Sequence, residues 1–216
     1  MKAIDLTKYQ GIIPAFYACY DDAGEVSPER VRAFTEYLIG KKVTGVYVGG
    51  SSGECIYQSV AERKAVLEAV IEQAAGRITV IAHVACNNTR DSMELAAHAE
   101  SVGADCIAAI PPIYFHLPDR AVAKYWSDIA SAAGLNSSLL RTMLSVPNVI
   151  GVKNSSMPIQ DIEMWRDEGA IVFNGPDEQL LSGLAAGAVG GIGGTYAVMP
   201  ELYERIYALV RAGDII

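Results

Sequence analysis

Residues 59–84, with the sequence SVAERKAVLEAVIEQAAGRITVIAHV, contain the pattern that decides the fold. Ser59 and Glu62 have the spacing of a capping box at the start of an amphipathic helix pattern. Gly76 follows that pattern, and a glycine in the left-handed conformation ends many helices. The apolar, β-branched run at residues 78–84 has the composition of a strand that is covered on both faces. The segment therefore predicts a helix that leads directly into a buried parallel strand.

The same helix-to-strand arrangement recurs along the chain. Short apolar runs predict strands at residues 11–17, 45–50, 78–84, 105–111, 149–154, 171–175 and 188–194. The glycines predicted to end the preceding helices are Gly45, Gly76, Gly103, Gly169 and Gly187. Further helix starts are predicted at Ser27 with Pro28 and at Asp91 with Glu94. Strands and helices that alternate without hairpin signals are typical of a parallel α/β architecture.

One interval in this series holds two helix patterns in succession. Between Pro112 and Val149 the two patterns are joined by residues 134–137, and no strand pattern lies at their junction. Because the other units repeat evenly, an incomplete TIM (β/α)8-type barrel without its fifth strand explains the spacing better than a doubly wound sheet. We expect this barrel to form a single domain over residues 1–216.

The composition excludes several classes of function. The 216 residues carry a net charge of −8 and no lysine and arginine cluster, so neither nucleic acid nor an anionic membrane is expected as a partner. The start lacks the apolar core of a signal peptide, and the most apolar stretch, at residues 180–194, is too short and glycine-rich to span a bilayer. Four widely spaced cysteines are predicted to be buried, reduced residues of a cytoplasmic protein: Cys19, Cys55, Cys86 and Cys106.

In a barrel of this kind the chemistry gathers at the carboxyl ends of the strands. Lys153 is the only lysine predicted at those ends, within the segment VIGVKNSSM at residues 149–157. Burial inside a barrel lowers the pKa of a lysine, which makes the amine a nucleophile that can form a Schiff base with a ketone. The segment GGSSGE at residues 49–54 offers hydroxyl and N–H groups that suit a carboxylate, such as that of a 2-oxo acid. On spacing alone, a solvated lysine and a glycine-rich turn remain open as alternatives.

Another enzyme class competes for some of the same residues. Residues 49–53 match the G-x-S-x-G pattern of a serine hydrolase, but the last histidine is His116, too early for the Ser, Asp, His order of that class. His83 at a strand end could serve as a base, although a buried structural histidine explains it more readily. Asp177 and Glu178 also suit the start of a helix. No residues have the spacing of a metal site, and no phosphate-binding glycine motif is present.

Five motifs in order along the chain carry a family resemblance. They are GVYVGGSSGE at 45–54, IPPIYF at 110–115, VIGVKNSS at 149–156, FNGPDEQLL at 173–181 and GGIGGTY at 190–196. Together they resemble the pyruvate-dependent class I aldolases of the dihydrodipicolinate synthase and N-acetylneuraminate lyase superfamily. The resemblance implies that Lys153 is the Schiff-base lysine and that no metal or other cofactor is needed. It also implies that Ser51 and Ser52 hold the carboxylate of pyruvate, and that Ser155 touches the substrate beyond the carbonyl.

The resemblance extends to the substrate and to the assembly. Gly175, Asp177 and Glu178 resemble a motif of the lyase branch that holds the hydroxylated tail of a sugar acid. The implied partner is a small-molecule 2-oxo sugar acid or pyruvate, and the implied reaction cleaves N-acetylneuraminate to pyruvate and N-acetylmannosamine. Tyr114 resembles a tyrosine that superfamily members insert into a neighbouring subunit's site, which implies a homo-oligomer, either a dimer or a tetramer.

Three departures from the superfamily's pattern keep other functions open. The family's fifth strand carries a tyrosine that shuttles a proton, help that is typically worth roughly 10²–10⁴ in rate, and residues 133–139 contain no counterpart. The family continues into a further helical region where this chain ends, and Gly194 stands where the lyase branch has a serine. The alternatives are another pyruvate-dependent aldolase or synthase, similar to dihydrodipicolinate synthase, or a catalytically impaired remnant. A phenol that Tyr17 or Tyr47 places near Lys153 would favour an enzyme.

Overall fold

The computed structural model describes residues 6–133 and 150–214. Their strands are β1 (Ile12–Pro14), β2 (Gly45–Val48), β3 (Thr79–His83), β4 (Cys106–Ala108), β5 (Gly151–Asn154), β6 (Ile171–Asn174) and β7 (Gly190–Gly193). Their α-helices are α1 (Pro28–Gly40), α2 (Val60–Ala74), α3 (Thr89–Ser101), α4 (Asp119–Ala132), α5 (Gln160–Asp167), α6 (Leu180–Ala185) and α7 (Pro200–Arg211). Each strand lies within a range that the sequence predicts, so the predicted series of strands is confirmed.

The strands pair in parallel and follow the order of a barrel wall. One sheet has the order β1-β7-β6-β5 and a second has the order β2-β3-β4. A parallel bridge between Ala15 and Tyr47 joins the two sheets, and the Phe16 N–H donates to the Tyr47 carbonyl at 2.9 Å. A wall of parallel strands that are connected through helices is the architecture of a TIM-type barrel, which confirms the predicted fold class.

The predicted gap in this wall falls outside the described residues. Residues 134–149 include the junction at which the fifth barrel strand is expected to be missing. Across the two described ranges, β4 pairs only with β3, and β5 pairs only with β6. The two strands that flank residues 134–149 in the chain are therefore the outer strands of the described wall.

Alternate residues of each strand pack on opposite faces of the wall. The side chains that fill the interior form one cluster: Tyr9, Ile13, Tyr47, Ile81, Phe173 and Ile192. Neighbouring strand residues on the other face pack against the helices, among them Ile12, Val46, Val80 and Val172. Lys153 of β5 pairs in register with Phe173 of β6, so its side chain also lies on the inner face.

Three predicted helix starts can be compared with the structure. Ser27 and Ser59 cap α1 and α2 as predicted, and Ser59 completes the full capping box. The start predicted at Asp91 is wrong, because α3 begins at Thr89 and its cap is Asn88, whose side chain accepts a hydrogen bond from the Asp91 N–H. Asparagine caps a helix as well as aspartate does, and here it comes first along the chain.

The glycines that precede strands have two different roles. Four have the positive φ of a helix end, as predicted: Gly76, Gly103, Gly169 and Gly187. Gly45 instead is the first residue of β2, and a Cβ at this position would lie 2.5 Å from the Thr79 carbonyl oxygen. The prediction that Gly45 ends a helix is therefore wrong, since close contact between β2 and β3 is what requires the glycine.

Candidate active site

Lys153 lies near the carboxyl end of β5, inside the barrel. It is partly buried and borders a cavity of about 730 Å³, which is also bordered by side chains of β2, β3, β4 and β6. Burial lowers the pKa of Lys153, while the carboxylate of Asp177 acts in the opposite direction. A larger fraction of the amine is therefore neutral than in an exposed lysine, and the neutral amine is the nucleophilic form.

Tyr47 of β2 supplies an aromatic ring beside this amine. The Nζ atom of Lys153 lies 5.3 Å from the centroid of the Tyr47 ring, within the range of a cation–π contact. Burial raises the pKa of the Tyr47 phenol, so this group stays protonated at neutral pH. Tyr17, the other tyrosine considered from the sequence, donates its hydroxyl to the Gly194 carbonyl at 2.7 Å. Of the two tyrosines, Tyr47 is the one that the structure brings to Lys153.

His83 is the last residue of β3 and borders the same cavity. Its ring centroid lies 5.8 Å from that of Tyr47, and its Nδ1 lies 2.8 Å from the carbonyl oxygen of Gly49. Because a carbonyl only accepts, Nδ1 carries the proton and Nε2 carries the lone pair when the ring is neutral. Burial lowers the pKa of His83 to about 4, and the charges of Arg63 and Lys153 act in the same direction. The sequence prediction of a buried, hydrogen-bonded histidine is confirmed.

Ser51 and Ser52 form a single 3₁₀ turn with Gly53 at the carboxyl end of β2. Ser51 borders the cavity, and the first N–H groups of such a turn have no partner within it. Gly50 precedes the turn, and a Cβ at this position would lie 2.7 Å from Cε1 of Tyr47. The close approach of this loop to the Tyr47 ring therefore requires glycine at position 50.

Arg63 of α2 holds this loop from behind and was missed in the sequence analysis. Its guanidinium is buried and donates to the carbonyl oxygens of Gly49 at 3.5 Å, His83 at 2.7 Å and Ala85 at 2.9 Å. The three carbonyls belong to the carboxyl ends of β2 and β3, so one side chain fixes both strand ends. The available signal was a charged residue in line with Val60, Val66 and Leu67 on the apolar face of an amphipathic helix.

Ser155 and Gly175 meet where β5 and β6 end. The Gly175 N–H donates to the Asn154 carbonyl at 2.9 Å, and a Cβ on Gly175 would lie 2.8 Å from Oγ of Ser155. Ser155 borders the cavity next to Lys153. The structure thus brings the predicted pair Lys153 and Ser155 to one side of the cavity, with Gly175 directly behind Ser155.

Asp177 and Glu178 lie in a 3₁₀ turn that follows β6 and precedes α6. Oδ2 of Asp177 accepts hydrogen bonds from the N–H of Thr195 at 2.7 Å and from its hydroxyl at 2.6 Å. A Cβ on Gly193 would fall on the Asp177 carboxylate, so this glycine makes room for it at the end of β7. Glu178 is exposed. The helix predicted to start at Asp177 and Glu178 begins at Leu180 instead, because the 3₁₀ turn comes first.

Tyr114 lies on the surface of the chain and does not border the cavity that Lys153 borders. Its side chain is 79% exposed and meets Phe115 edge to face, with ring centroids 4.8 Å apart. Ile113 beside it is exposed as well. A single chain does not bring Tyr114 to the cavity, and its insertion into a neighbouring site stays a prediction.

The remaining predicted features concern cysteines, metals and membranes. Cys19, Cys55, Cys86 and Cys106 have free thiols, but all four are only partly buried, which corrects the expectation of buried residues. Within residues 6–133 and 150–214, no group of three or more histidine, cysteine or carboxylate side chains could hold a metal ion. None of the helices in these two ranges has both the length and the apolarity to cross a membrane.

The comparisons with known proteins agree with this geometry. The model of the dihydrodipicolinate synthetase family matches residues 8–216. An N-acetylneuraminate lyase of Mediterraneibacter gnavus is 57% identical over 228 positions, which cover 97% of this chain and 72% of the relative. The alignment is longer than the chain, so the relative holds positions within the aligned region that this chain lacks.

Two solved structures from Ruminococcus gnavus are similar as well. A wild-type sialic acid aldolase has a TM-score of 0.92 and 56% identity, covering 96% of this chain and 75% of that one. A catalytic lysine mutant of the sialic acid aldolase has a TM-score of 0.93 and 55% identity, covering 98% of this chain and 75% of that one. Both the family match and the identity to these relatives extend over nearly the whole chain. The chain belongs to the dihydrodipicolinate synthetase family.

Proposed function

We propose that this protein is a Schiff-base aldolase that cleaves N-acetylneuraminate to pyruvate and N-acetylmannosamine. The observation that carries the proposal is the partly desolvated amine of Lys153, which borders a large cavity at the carboxyl end of a barrel strand. The N-acetylneuraminate lyase of M. gnavus and the sialic acid aldolase of R. gnavus, each more than half identical to this chain, favour this substrate over that of a dihydrodipicolinate synthase.

The proposed reaction starts at the Lys153 amine. The amine adds to the C2 ketone of the open-chain sugar acid, and loss of water gives a cationic imine between Nζ and C2. The imine accepts the electrons of the C3–C4 bond as that bond breaks, and the C4 hydroxyl loses its proton to become the aldehyde of N-acetylmannosamine. The enamine that remains takes a proton at C3, and water then releases pyruvate and the free amine.

The neighbouring groups fit the charges that appear along this path. The Tyr47 ring face and the Asp177 carboxylate both favour a cation at Nζ, and the imine is such a cation. We propose that Ser51 and Ser52 hold the substrate carboxylate and that Ser155 touches the substrate beyond the imine. Gly175, Asp177 and Glu178 are proposed to bind the hydroxylated tail. The imine itself is the electron acceptor, so the proposed mechanism uses no metal and no organic cofactor.

We also propose a homo-oligomeric, cytoplasmic protein whose residues 1–216 form one barrel domain. The exposed side chains of Ile113, Tyr114 and Phe115 offer an apolar surface for a second subunit. Four free thiols suit a reducing compartment. Sedimentation of the purified chain measures the oligomeric state, and a monomer at micromolar concentration would contradict this part of the proposal.

Reductive trapping tests the mechanism. The purified chain is incubated with pyruvate and borohydride, and the modified residue is identified by mass spectrometry. We expect one adduct on Lys153 in the wild type and none in Lys153→Arg. Lys64→Arg is the control and should keep the adduct, because Lys64 pairs with Glu94 on the outer helices. Release of pyruvate from N-acetylneuraminate tests the substrate in the same samples.

Each outcome of this experiment either supports the proposal or contradicts it. An adduct on Lys153 together with pyruvate release supports the proposed lyase. A folded chain that forms no adduct contradicts the aldolase mechanism. An adduct without cleavage of N-acetylneuraminate would mean that the substrate is another one, or that the chain is an impaired remnant, and it would overturn the proposed reaction.

A further inference from the structure

The proposed cleavage needs a group that takes a proton from the C4 hydroxyl and returns one to C3. The sequence contains no tyrosine between Tyr125 and Tyr196, so the stretch that leads from α4 into β5 provides no phenol for this step. Within one chain, the candidates for this group are therefore the other side chains of the cavity wall.

We propose that His83 is the proton carrier of this reaction, an inference that rests on the proposed function. His83 and Lys153 border the same cavity and flank the same aromatic ring. The His83 ring centroid lies 5.8 Å from the Tyr47 centroid, and Lys153 Nζ lies 5.3 Å from it. Tyr47 pairs in register with Ile81, so His83, two residues further on, lies on the same inner face and nearer the carboxyl ends.

The hydrogen bonds of His83 leave the required lone pair in place. Its Nδ1–H is held by the Gly49 carbonyl, which makes Nε2 the acceptor. Arg63 donates to the carbonyl oxygens of both Gly49 and His83. One buried guanidinium therefore holds the backbone of His83 and the Gly49 carbonyl that binds its imidazole. A base whose orientation is set by a second group in this way is the usual arrangement for a proton carrier.

The other groups near the cavity are less suited to this role. The buried Tyr47 phenol has a raised pKa and is protonated, so it has no basic form at neutral pH. The Asp177 carboxylate already accepts two hydrogen bonds from Thr195. Glu54 is exposed, and Tyr20 donates to its carboxylate at 3.3 Å. Of these side chains and His83, the imidazole is the one that is buried, uncharged at neutral pH and has a nitrogen lone pair to accept the proton.

The proton transfer balances in both charge and atoms. Nε2 takes the C4 hydroxyl proton, the O–H electron pair forms the C4 carbonyl, and the C3–C4 pair becomes the C2–C3 double bond that neutralises the imine nitrogen. One positive charge thus moves from Nζ to the imidazole, and the net charge of the cavity stays the same. The imidazolium then gives its proton to C3 of the enamine, the nitrogen becomes cationic again, and hydrolysis frees pyruvate.

Deuterium exchange into pyruvate isolates this step from the formation of the imine. In D₂O the enzyme exchanges the methyl protons of pyruvate only if a base acts on the imine, whereas borohydride trapping needs the imine alone. His83→Asn keeps an N–H donor for the Gly49 carbonyl and removes the base. We expect trapping on Lys153 to persist and both exchange and sugar-acid cleavage to fall roughly 10²–10⁴-fold.

Two further variants make the result specific. His98→Asn is the matched control, since His98 pairs with Glu68 between α2 and α3, away from the cavity, and all three activities should persist. His83→Gly should regain exchange when imidazole is added, which a purely structural role would not allow. This rescue decides the matter if His83→Asn does not fold.

The inference and the proposed function fail in different ways. If the wild-type chain is not trapped, the proposed aldolase mechanism fails. If His83→Asn is trapped and exchanges at the wild-type rate, or if Tyr47→Phe loses exchange instead, His83 is not the proton carrier although the aldolase mechanism stands. If His83→Gly is trapped and imidazole restores no exchange, the inference is overturned as well.

Discussion

Lys153 and Tyr47 form a cation–π pair across the interior of the barrel, with Nζ 5.3 Å from the ring centroid. Two opposing effects therefore act on the same amine. Burial favours the neutral form of Lys153, while the ring face and the Asp177 carboxylate favour the cation. A Schiff-base lysine benefits from both effects, because the attacking amine must be neutral and the imine that follows is cationic.

Replacing Tyr47 by leucine should lower the pKa of Lys153 further. The ring face stabilises the ammonium by about 0.5–2 kcal/mol, so its loss should favour the neutral amine and move the pKa of Lys153 down. The measurement is the pH dependence of imine formation with pyruvate, followed by trapping with cyanoborohydride. Tyr47→Phe keeps a ring and should leave the pKa of Lys153 closer to that of the wild type. The same pH dependence in Tyr47→Leu and the wild type would show that the ring does not act on the amine.

The strands could be predicted from the sequence because each depends on a local pattern. Residues 78–84, for example, have the composition of a strand without reference to the rest of the chain, and Gly76 marks the end of the helix before them. The start of α3 was predicted too late, because Asn88 and Asp91 are both good caps and a local pattern does not rank them. Local patterns thus suffice for the elements and fail mainly at their boundaries.

The candidate site could be predicted only in part. Lys153 stands out because a lysine is unusual at the end of an apolar strand. Its contact with Tyr47 depends on which strands face each other across the barrel and on their register, and no local pattern carries that information. Arg63 was missed for the same reason, since its three carbonyl partners belong to residues 14 to 22 positions away, at the ends of two strands. Long-range contacts of this kind needed the structure.

Asp177→Asn should separate imine formation from sugar-acid cleavage. The Asp177 carboxylate raises the pKa of Lys153, so its neutralisation should lower that pKa and shift the pH dependence of pyruvate trapping to lower pH. Cleavage of N-acetylneuraminate should fall, because the proposed contact with the hydroxylated tail is weakened. Trapping with pyruvate and cleavage are measured side by side on the same preparation.

The matched control for this variant is Asp161→Asn. In the wild type, the Asp161 carboxylate accepts a hydrogen bond from the Ser156 hydroxyl at the start of α5. This control should leave the pH dependence of Lys153 trapping closer to the wild type. A parallel loss of trapping and cleavage in Asp177→Asn would contradict the prediction and would point to a damaged fold instead.

The buried His83 should make the protein less stable in mild acid. In the unfolded chain a histidine takes a proton near pH 6.5, whereas His83 in the folded chain takes one only near pH 4, because burial and the charges of Arg63 and Lys153 oppose it. Between these two values the unfolded state binds more protons, so the free energy of unfolding falls as the pH drops from about 6.5 to about 4. The full loss is about 3 kcal/mol in order of magnitude, and it levels off below pH 4.

Urea unfolding at several pH values tests this prediction. His83→Asn has no imidazole to protonate, so its stability should fall less steeply over the same range than that of the wild type. Equal slopes for the wild type and His83→Asn would show that His83 titrates alike in the folded and unfolded chains.

The capping box of α2 should support the site as well as the helix. Ser59 Oγ accepts from the Glu62 N–H at 3.2 Å, and the Glu62 carboxylate accepts from the Ser59 N–H at 2.7 Å. Arg63 is the next residue, so fraying of this turn releases the side chain that holds the ends of β2 and β3. Ser59→Ala should cost about 1 kcal/mol in the free energy of unfolding and should also weaken pyruvate binding, whereas Ser59→Asp keeps a cap and should lose less of both.

Urea unfolding and the concentration of pyruvate needed for half-maximal trapping measure the two effects of Ser59→Ala. The two should change together, because the same turn begins the helix and positions Arg63. Loss of stability with unchanged pyruvate binding would mean that Arg63 keeps its three carbonyl contacts without the cap. In that case the strand ends are held by the packing of the rest of α2, through buried residues such as Val66 and Val70, and the first turn has no part in the site.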